Sequence, residues 1–217
     1  MPARMLDDIA GQPLSLAEAS AWQFGEGAPA LQSAASAIGA ARRIIFTGMG
    51  SSLFAAIPAV SLLQARGFAA EAVDTSELLH FLHPALQPGV AVVVVSRSGE
   101  SVEAVKLLSV LRGRGLAVVG LTNVPGSTLA RESTHPLLIN CRPDRMVAVQ
   151  SYSSSLAVLL LLAAAVLQDP SEPWQAAIAS TGLALEAGIR NQAAAKNDWT
   201  AFLSSALLSS SAAFSAG

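Results

Sequence analysis

Apolar residues recur along the chain in two alternating rhythms. Short unbroken runs rich in β-branched residues read as strands: Arg43 to Thr47 (RIIFT), Val90 to Val95 (VAVVVV) and Leu116 to Leu121 (LAVVGL), with weaker candidates at Ala69 to Val73 and Pro136 to Ile139. Longer stretches between them predict helices over Ala30 to Ala41, Ser51 to Gln64, Ser76 to Leu82 and Ser101 to Arg112, a helical turn near Leu129, and a long helix from Ser151 to Leu167. Gly48, Gly50, Gly67, Pro84, Pro88 and the pair Asp169-Pro170 punctuate the sequence where these elements stop. The VAVVVV run does not alternate, so both faces of that strand are buried, as in a parallel sheet. Strand and helix alternate, which predicts an α/β fold: a doubly wound, five-stranded parallel sheet with helices on both faces.

The two ends depart from this rhythm. Residues 1–26 form a lead segment with a short helix around Leu14 to Trp22, set off by Pro13, Gly25, Gly27 and Pro29. Residues 27–169 carry the α/β pattern. Residues 170–217 form a helical extension, with one long helix from Trp174 to Ala195 and a Ser/Ala-rich end. That helix is too apolar to stand alone in water, so it calls for another domain or subunit to cover it.

Composition narrows the function classes. Hydrophobic residues make up 52% and charged residues 13%, so the chain is not disordered. The net charge of -2 leaves no basic excess for a phosphate backbone, which argues against direct nucleic-acid binding. One cysteine, Cys141, excludes an internal disulfide framework, and three histidines leave little for a metal site. The charge-free run Leu156 to Leu167 is shorter than the roughly 20 residues of a membrane span. The start carries Arg4, Asp7 and Asp8 and no apolar signal core, so a cytoplasmic protein without metal or cofactor is expected.

Candidate chemistry sits in two loops. One is Thr47-Gly48-Met49-Gly50-Ser51-Ser52, after the first strand. The other is Ser96-Arg97-Ser98-Gly99-Glu100-Ser101, after VAVVVV. Each joins a strand end to a helix start, where free N–H groups and the positive dipole end favour an anion. Glycine allows close approach and serine adds neutral donors, which together make a phosphate cradle that needs no lysine. Plain turn and cap chemistry is the alternative for either loop alone; two such loops in one sheet favour a ligand. A Walker A loop fails because no lysine follows Gly50, and a dinucleotide fingerprint fails because Leu53 stands where its third glycine belongs.

The pair GMGSS (48–52) and SRSGES (96–101), with LTN (121–123), Ser127 to Ala130 and CRPDRMVAVQSYS (141–153), resembles the sugar isomerase, or SIS, domain family. The lead segment, with MLDDI (5–9) and Gln12-Pro13, is similar to the isomerase half of glutamine–fructose-6-phosphate aminotransferase and to related sugar-phosphate deaminases. The resemblance implies a flavodoxin-like fold. It also implies a phosphorylated sugar such as fructose 6-phosphate or glucosamine 6-phosphate as ligand, and the apolar helix over 174–195 adds the expectation of a homo-oligomer. It assigns sugar-phosphate contacts to Gly50, Ser51, Ser52, Ser96, Arg97, Ser98, Gly99 and Ser101, and backbone contacts to the sugar at Val147 and Ala148. Arg97 replaces a glutamine of the aminotransferase, Val149 a serine and Ser151 a lysine, which departs from a true aminotransferase site. The glutamate, histidine and lysine that relatives draw from a second repeat and tail have no counterpart here. No catalytic residue is therefore assigned, and the chain reads as cut short after its first repeat. Two other readings remain open: a sugar-phosphate-sensing module, and a stand-alone oligomeric isomerase.

Other residues have plainer expectations. His80 and His83 share a helix face with a solvated or capping role, and His135 is a turn residue. Glu100 complements the dipole of its own helix, with general-base chemistry as the alternative; Glu77, on the short helix, is a candidate to reach the sugar. Cys141, Met146 and Tyr152 are packing residues.

Overall fold

The computed structural model describes residues 3–194. The elements run α1 (Ala3–Phe24), α2 (Ala28–Gly39), β1 (Arg43–Gly48), α3 (Ser51–Ala65), β2 (Ala70–Asp74), α4 (Thr75–Glu77), β3 (Val90–Val95), α5 (Val102–Leu111), β4 (Ala117–Thr122), α6 (Thr128–Glu132), β5 (His135–Leu138), α7 (Gln150–Val166) and α8 (Ser171–Ala194). The five strands form one parallel sheet in the order β2-β1-β3-β4-β5. This is the doubly wound α/β architecture read from the sequence, with its helical extension as α8.

Side-chain alternation along β3 shows how the layers form. Ala91, Val93 and Val95 join the core that includes α2, α3 and α7, while Val90, Val92 and Val94 join the core that includes α5. All six residues are buried, which is why this strand reads as an unbroken apolar run. Gly120 in β4 admits a close neighbour: a Cβ there would lie 2.6 Å from Ser133 Oγ and 2.9 Å from Leu129 Cδ1. α6 can therefore pack directly on the strand.

Three elements differ from the sequence reading. The lead segment is one 22-residue helix that continues through Pro13 instead of a short helix from Leu14. Tertiary contacts outweigh the lost backbone donor, since α1 packs along both α7 and α8. The predicted helix Ser76 to Leu82 divides into α4, a π-helical turn at Leu78–Leu82 and a 3-10 turn at His83–Ala85. Proline at 84 cannot donate to a regular α ladder, and His83 Nδ1 instead meets the Leu79 carbonyl at 2.7 Å. His135 opens β5 rather than a turn and pairs with Ser33 Oγ at 3.0 Å.

The apolar C-terminal helix finds part of its cover inside the chain. Ile178 of α8 is buried, and Trp174 and Leu185 pack against the same core as Leu16 and Ala19 of α1. Among the described residues, no helix is long and apolar enough to cross a membrane. The predicted extension beyond residue 194, including the end of the helix placed at Ala195, lies outside the described residues.

Candidate sugar-phosphate site

The strand order changes direction at β1 and β3, which lie side by side with Gly48 opposite Val95. The polypeptide leaves β1 toward α3, which packs on one face of the sheet, and leaves β3 toward α5, which packs on the other. Such a divergence opens a crevice beyond the carboxyl ends of the strands, where ligands of doubly wound sheets bind. The loops 48–52 and 96–101 both line it.

In the first loop, Gly48 is pressed against the start of α3: a Cβ would lie 2.8 Å from Leu53 N. Gly50 takes φ 52°, a left-handed conformation that glycine adopts without a steric penalty, and nothing lies within 4 Å of where its Cβ would be. The amides of Ser52 and Leu53 donate back to the carbonyls of Met49 and Gly50. The amide of Ser51, the first helical residue, has no intrahelical acceptor. Gly50 and Ser51 are exposed and Ser52 is half-buried. Below them Thr47 Oγ1 donates to Thr75 Oγ1 at 3.1 Å and ties the end of β1 to the turn after β2.

The second loop is densely bonded. Ser96 is buried; its hydroxyl accepts from the Gly99 amide at 3.2 Å and pairs with Ser101 Oγ at 3.1 Å. Gly99 has φ 66°, and a Cβ on it would meet Thr122 Oγ1 at 2.8 Å and Ser127 Cβ at 2.5 Å. Ser98 Oγ accepts the Glu100 amide at 3.2 Å and is exposed at the tip. Ser101 occupies the N-cap position of α5 but its hydroxyl makes no cap bond, because it faces Ser96 instead. The first amides of α5 thus stay available beside three serine hydroxyls.

Glu100 serves a different helix from the one expected. Its carboxylate accepts the Thr128 amide at 2.6 Å and so caps α6. That backbone bond, with the Thr128 hydroxyl and Arg131, holds the carboxyl below its usual range despite a smaller opposing effect of burial. Glu77 ends α4, exposed to solvent.

A third segment closes the site. Arg97 is exposed, and its Nη1 lies 3.4 Å from Asp144 Oδ2. Asp144 has no exposed side-chain surface. It accepts the amides of Val149 (3.0 Å), Gln150 (2.8 Å) and Ser151 (3.3 Å), and the Ser151 hydroxyl. Burial works against its charge, but these donated bonds outweigh it and hold the carboxyl below the ordinary value. Asp144 therefore fills the N-terminus of α7 with the protein's own anion. Between these anchors Met146 and Val147 are exposed and Ala148 is half-buried. Met146, expected to pack, instead presents its side chain to solvent at 55% exposure.

α1 fixes the same segment from behind. Asp8, almost fully buried, accepts the amides of Arg145 and Met146 at 2.9 and 3.2 Å, and Gln150 Nε2 at 3.3 Å. Ser15 Oγ donates to Gln150 Oε1 at 2.7 Å. Asn123, at the end of β4, exchanges two 2.9 Å bonds with the backbone of Cys141. Burial pushes the Cys141 thiol up to about 11, so it is a neutral thiol at physiological pH.

The sequence reading gave roles to the serine loops, but only quoted the segments that hold Asp8, Asn123, Asp144 and Gln150 without assigning these residues a role. A signal for Asp144 existed: in a chain only 13% charged, an acid a few residues ahead of a long apolar helix is a cap candidate.

The SIS domain family matches residues 37–168, which takes in both serine loops and the Asp144 segment. The chain belongs to the SIS domain family. A glutamine–fructose-6-phosphate aminotransferase of Aeropyrum pernix is 34% identical over 166 residues, 74% of this chain and 25% of the relative. The enzyme of the same name from Bacillus licheniformis is 30% identical over 75% of this chain and 28% of its own length. The SIS chain thus spans about a quarter of the length of these curated relatives. Among solved structures, the C-terminal domain of the Francisella tularensis glucosamine-fructose-6-phosphate aminotransferase superposes with TM-score 0.67 at 16% identity, over 88% of this chain and 54% of that one. A glucosamine-6-phosphate deaminase from Thermotoga maritima gives 0.67 at 21%, over 83% and 54%. The sugar isomerase domain of an RpiR transcription factor from Sphaerobacter thermophilus gives 0.59 at 21%, over 82% and 94%. At these identities the structures share the fold.

Proposed function

We propose that this SIS domain binds a phosphorylated sugar in the crevice between β1 and β3. The observation that carries the reading is the convergence of two serine- and glycine-rich helix starts at the switch point of the sheet. In this reading Ser96, Ser98, Gly99 and Ser101 grip the phosphate with Arg97 beside it. Gly50, Ser51 and Ser52 approach from the other side, and the backbone of Val147 and Ala148 meets the sugar. The phosphosugars in the names of the relatives, fructose 6-phosphate and glucosamine 6-phosphate, are the first ligands to try.

Binding is favoured over turnover by the carboxylates of these loops. Glu100 is committed to the α6 amide and Asp144 to the start of α7, so neither is placed as a base. This supports a sugar-phosphate-binding unit of a larger isomerase or aminotransferase-type protein, with residues 27–169 as its SIS domain. It equally suits a cytoplasmic sugar-phosphate sensor. A homo-oligomer is part of the proposal, since α3 leaves Phe54 and Ile57 exposed on an outer face.

Thermal denaturation against fructose 6-phosphate, glucosamine 6-phosphate, fructose and inorganic phosphate tests the reading. A phosphosugar at a hundred times its Kd adds about 2.7 kcal/mol of stability. The shift is expected with phosphosugars, absent with fructose, and lost in Ser98→Ala. A cooperative melt that none of the four ligands moves would overturn the reading.

A further inference from the structure

Asp144 stands between the two parts of the proposed ligand. On one side it touches Arg97, the sole side-chain cation on the serine loop 96–101, through Nη1 at 3.4 Å. On the other it collects the amides of Val149, Gln150 and Ser151, which set the path of the backbone just after Val147 and Ala148. The carboxylate is wholly shielded, so water cannot replace the partners it holds. The segment it organises is fixed at its far end as well, where Asp8 takes the amides of Arg145 and Met146. The stretch 146–148 is therefore suspended between two anionic anchors, and one of them also reaches the loop of the phosphate cradle.

We infer that Asp144 is a positioning residue that ties the Arg97 guanidinium to the 146–149 backbone, so that phosphate and sugar are read as one ligand. The inference rests on the phosphosugar reading of the site. A nearby anion acting only through its charge would repel phosphate, and removing it would tighten phosphate and phosphosugar alike. A positioning anion acts in the opposite sense and selectively. Without it the cradle still holds phosphate through serine hydroxyls and helix amides, but the sugar loop and Arg97 lose their common reference.

The test compares calorimetric affinities for fructose 6-phosphate and inorganic phosphate in the wild-type chain, Asp144→Asn and Asp144→Glu. The quantity read is the ratio of the two affinities. Asp144→Asn is expected to lower the ratio about tenfold, the scale of one charge-assisted hydrogen bond, while phosphate alone changes less than about threefold. Asp144→Glu, which keeps the charge, is expected to recover part of the ratio. An unchanged ratio in Asp144→Asn, or equal tightening of both ligands, overturns the inference. If Asp144→Asn does not melt cooperatively, Arg97→Gln, at an exposed position, cuts the same link from its other end. Because Arg97 also lies beside the phosphate in this reading, both affinities are expected to fall, that for fructose 6-phosphate about threefold further than that for inorganic phosphate, and a fall in step overturns the coupling. Failure of the underlying reading looks different: the wild-type chain then binds neither ligand, and the inference falls with it.

Discussion

The two loops that face each other across the β1–β3 crevice are built in opposite ways. In loop 96–101 the hydroxyls of Ser96, Ser98 and Ser101 are all bonded within the loop, and Gly99 is wedged between Thr122 and Ser127. In loop 48–52 Gly50 has open space around it and Ser51 faces solvent. If the proposed phosphosugar contacts hold, the difference teaches how a site can be both preorganised and selective. A phosphate presents the same three oxygens whatever carries it, so a rigid receptor can be built for it in advance. The rest of a sugar varies, and a loop with room around it accommodates that variation. One loop should therefore tolerate substitution poorly in stability and the other mainly in binding.

The largest expected effect breaks the rigid side. Gly99→Ala adds a Cβ into a space already filled and forces a non-glycine residue to φ 66°. Overpacking and the left-handed conformation together cost about 3 kcal/mol, to be read as a lower urea midpoint, with loss of phosphate binding. Gly50→Ala meets no neighbour and bears the conformational cost alone. About 2 kcal/mol is expected, with a native-like fold, because φ 52° with ψ -119° lies outside the left-handed helical well. Equal losses in the two variants would remove the contrast between the loops.

Acid sharpens the comparison next. The Glu100 and Asp144 carboxyls are both held below their ordinary values in the folded chain. Groups of this kind add stability above their unfolded pKa, and that stability drains away as pH falls through the lower folded value. Urea midpoints should therefore drop below about pH 4, and Asp144→Asn should flatten part of the drop. A drop of equal size in that variant would assign the acid sensitivity to other carboxyls. The smallest effect belongs to Ser51→Ala, at an exposed hydroxyl outside any bonded network. No change in urea midpoint beyond about 0.5 kcal/mol is expected, with a weaker thermal shift by phosphosugar.

Much of the architecture was legible because it rests on local pattern. VAVVVV could only be a doubly buried strand, and GMGSS and SRSGES carry the glycine and serine that a strand-to-helix turn at an anion site needs. The elements that escaped depend on distance. Pro13 reads as a break until α7 and α8 are in place to hold α1 straight through it. Asp8 looks like an ordinary surface acid until the fold brings to it a backbone amide from 137 residues away. Glu100 was attributed to its own helix because the start of α6 is 28 residues away in sequence.

The partnership of Asp8 with the Arg145 amide spans 137 residues. During synthesis α1 leaves the ribosome before the Arg145 amide that donates to it is made. At roughly 5–20 residues per second that interval is on the order of ten seconds. Throughout it Leu16 and Ala19, buried in the finished fold, wait for α7 and α8, the helices that α1 mainly packs against. The helix that braces the 145–150 segment is thus left uncovered on the nascent chain, and slower elongation ahead of residue 145 lengthens its exposure.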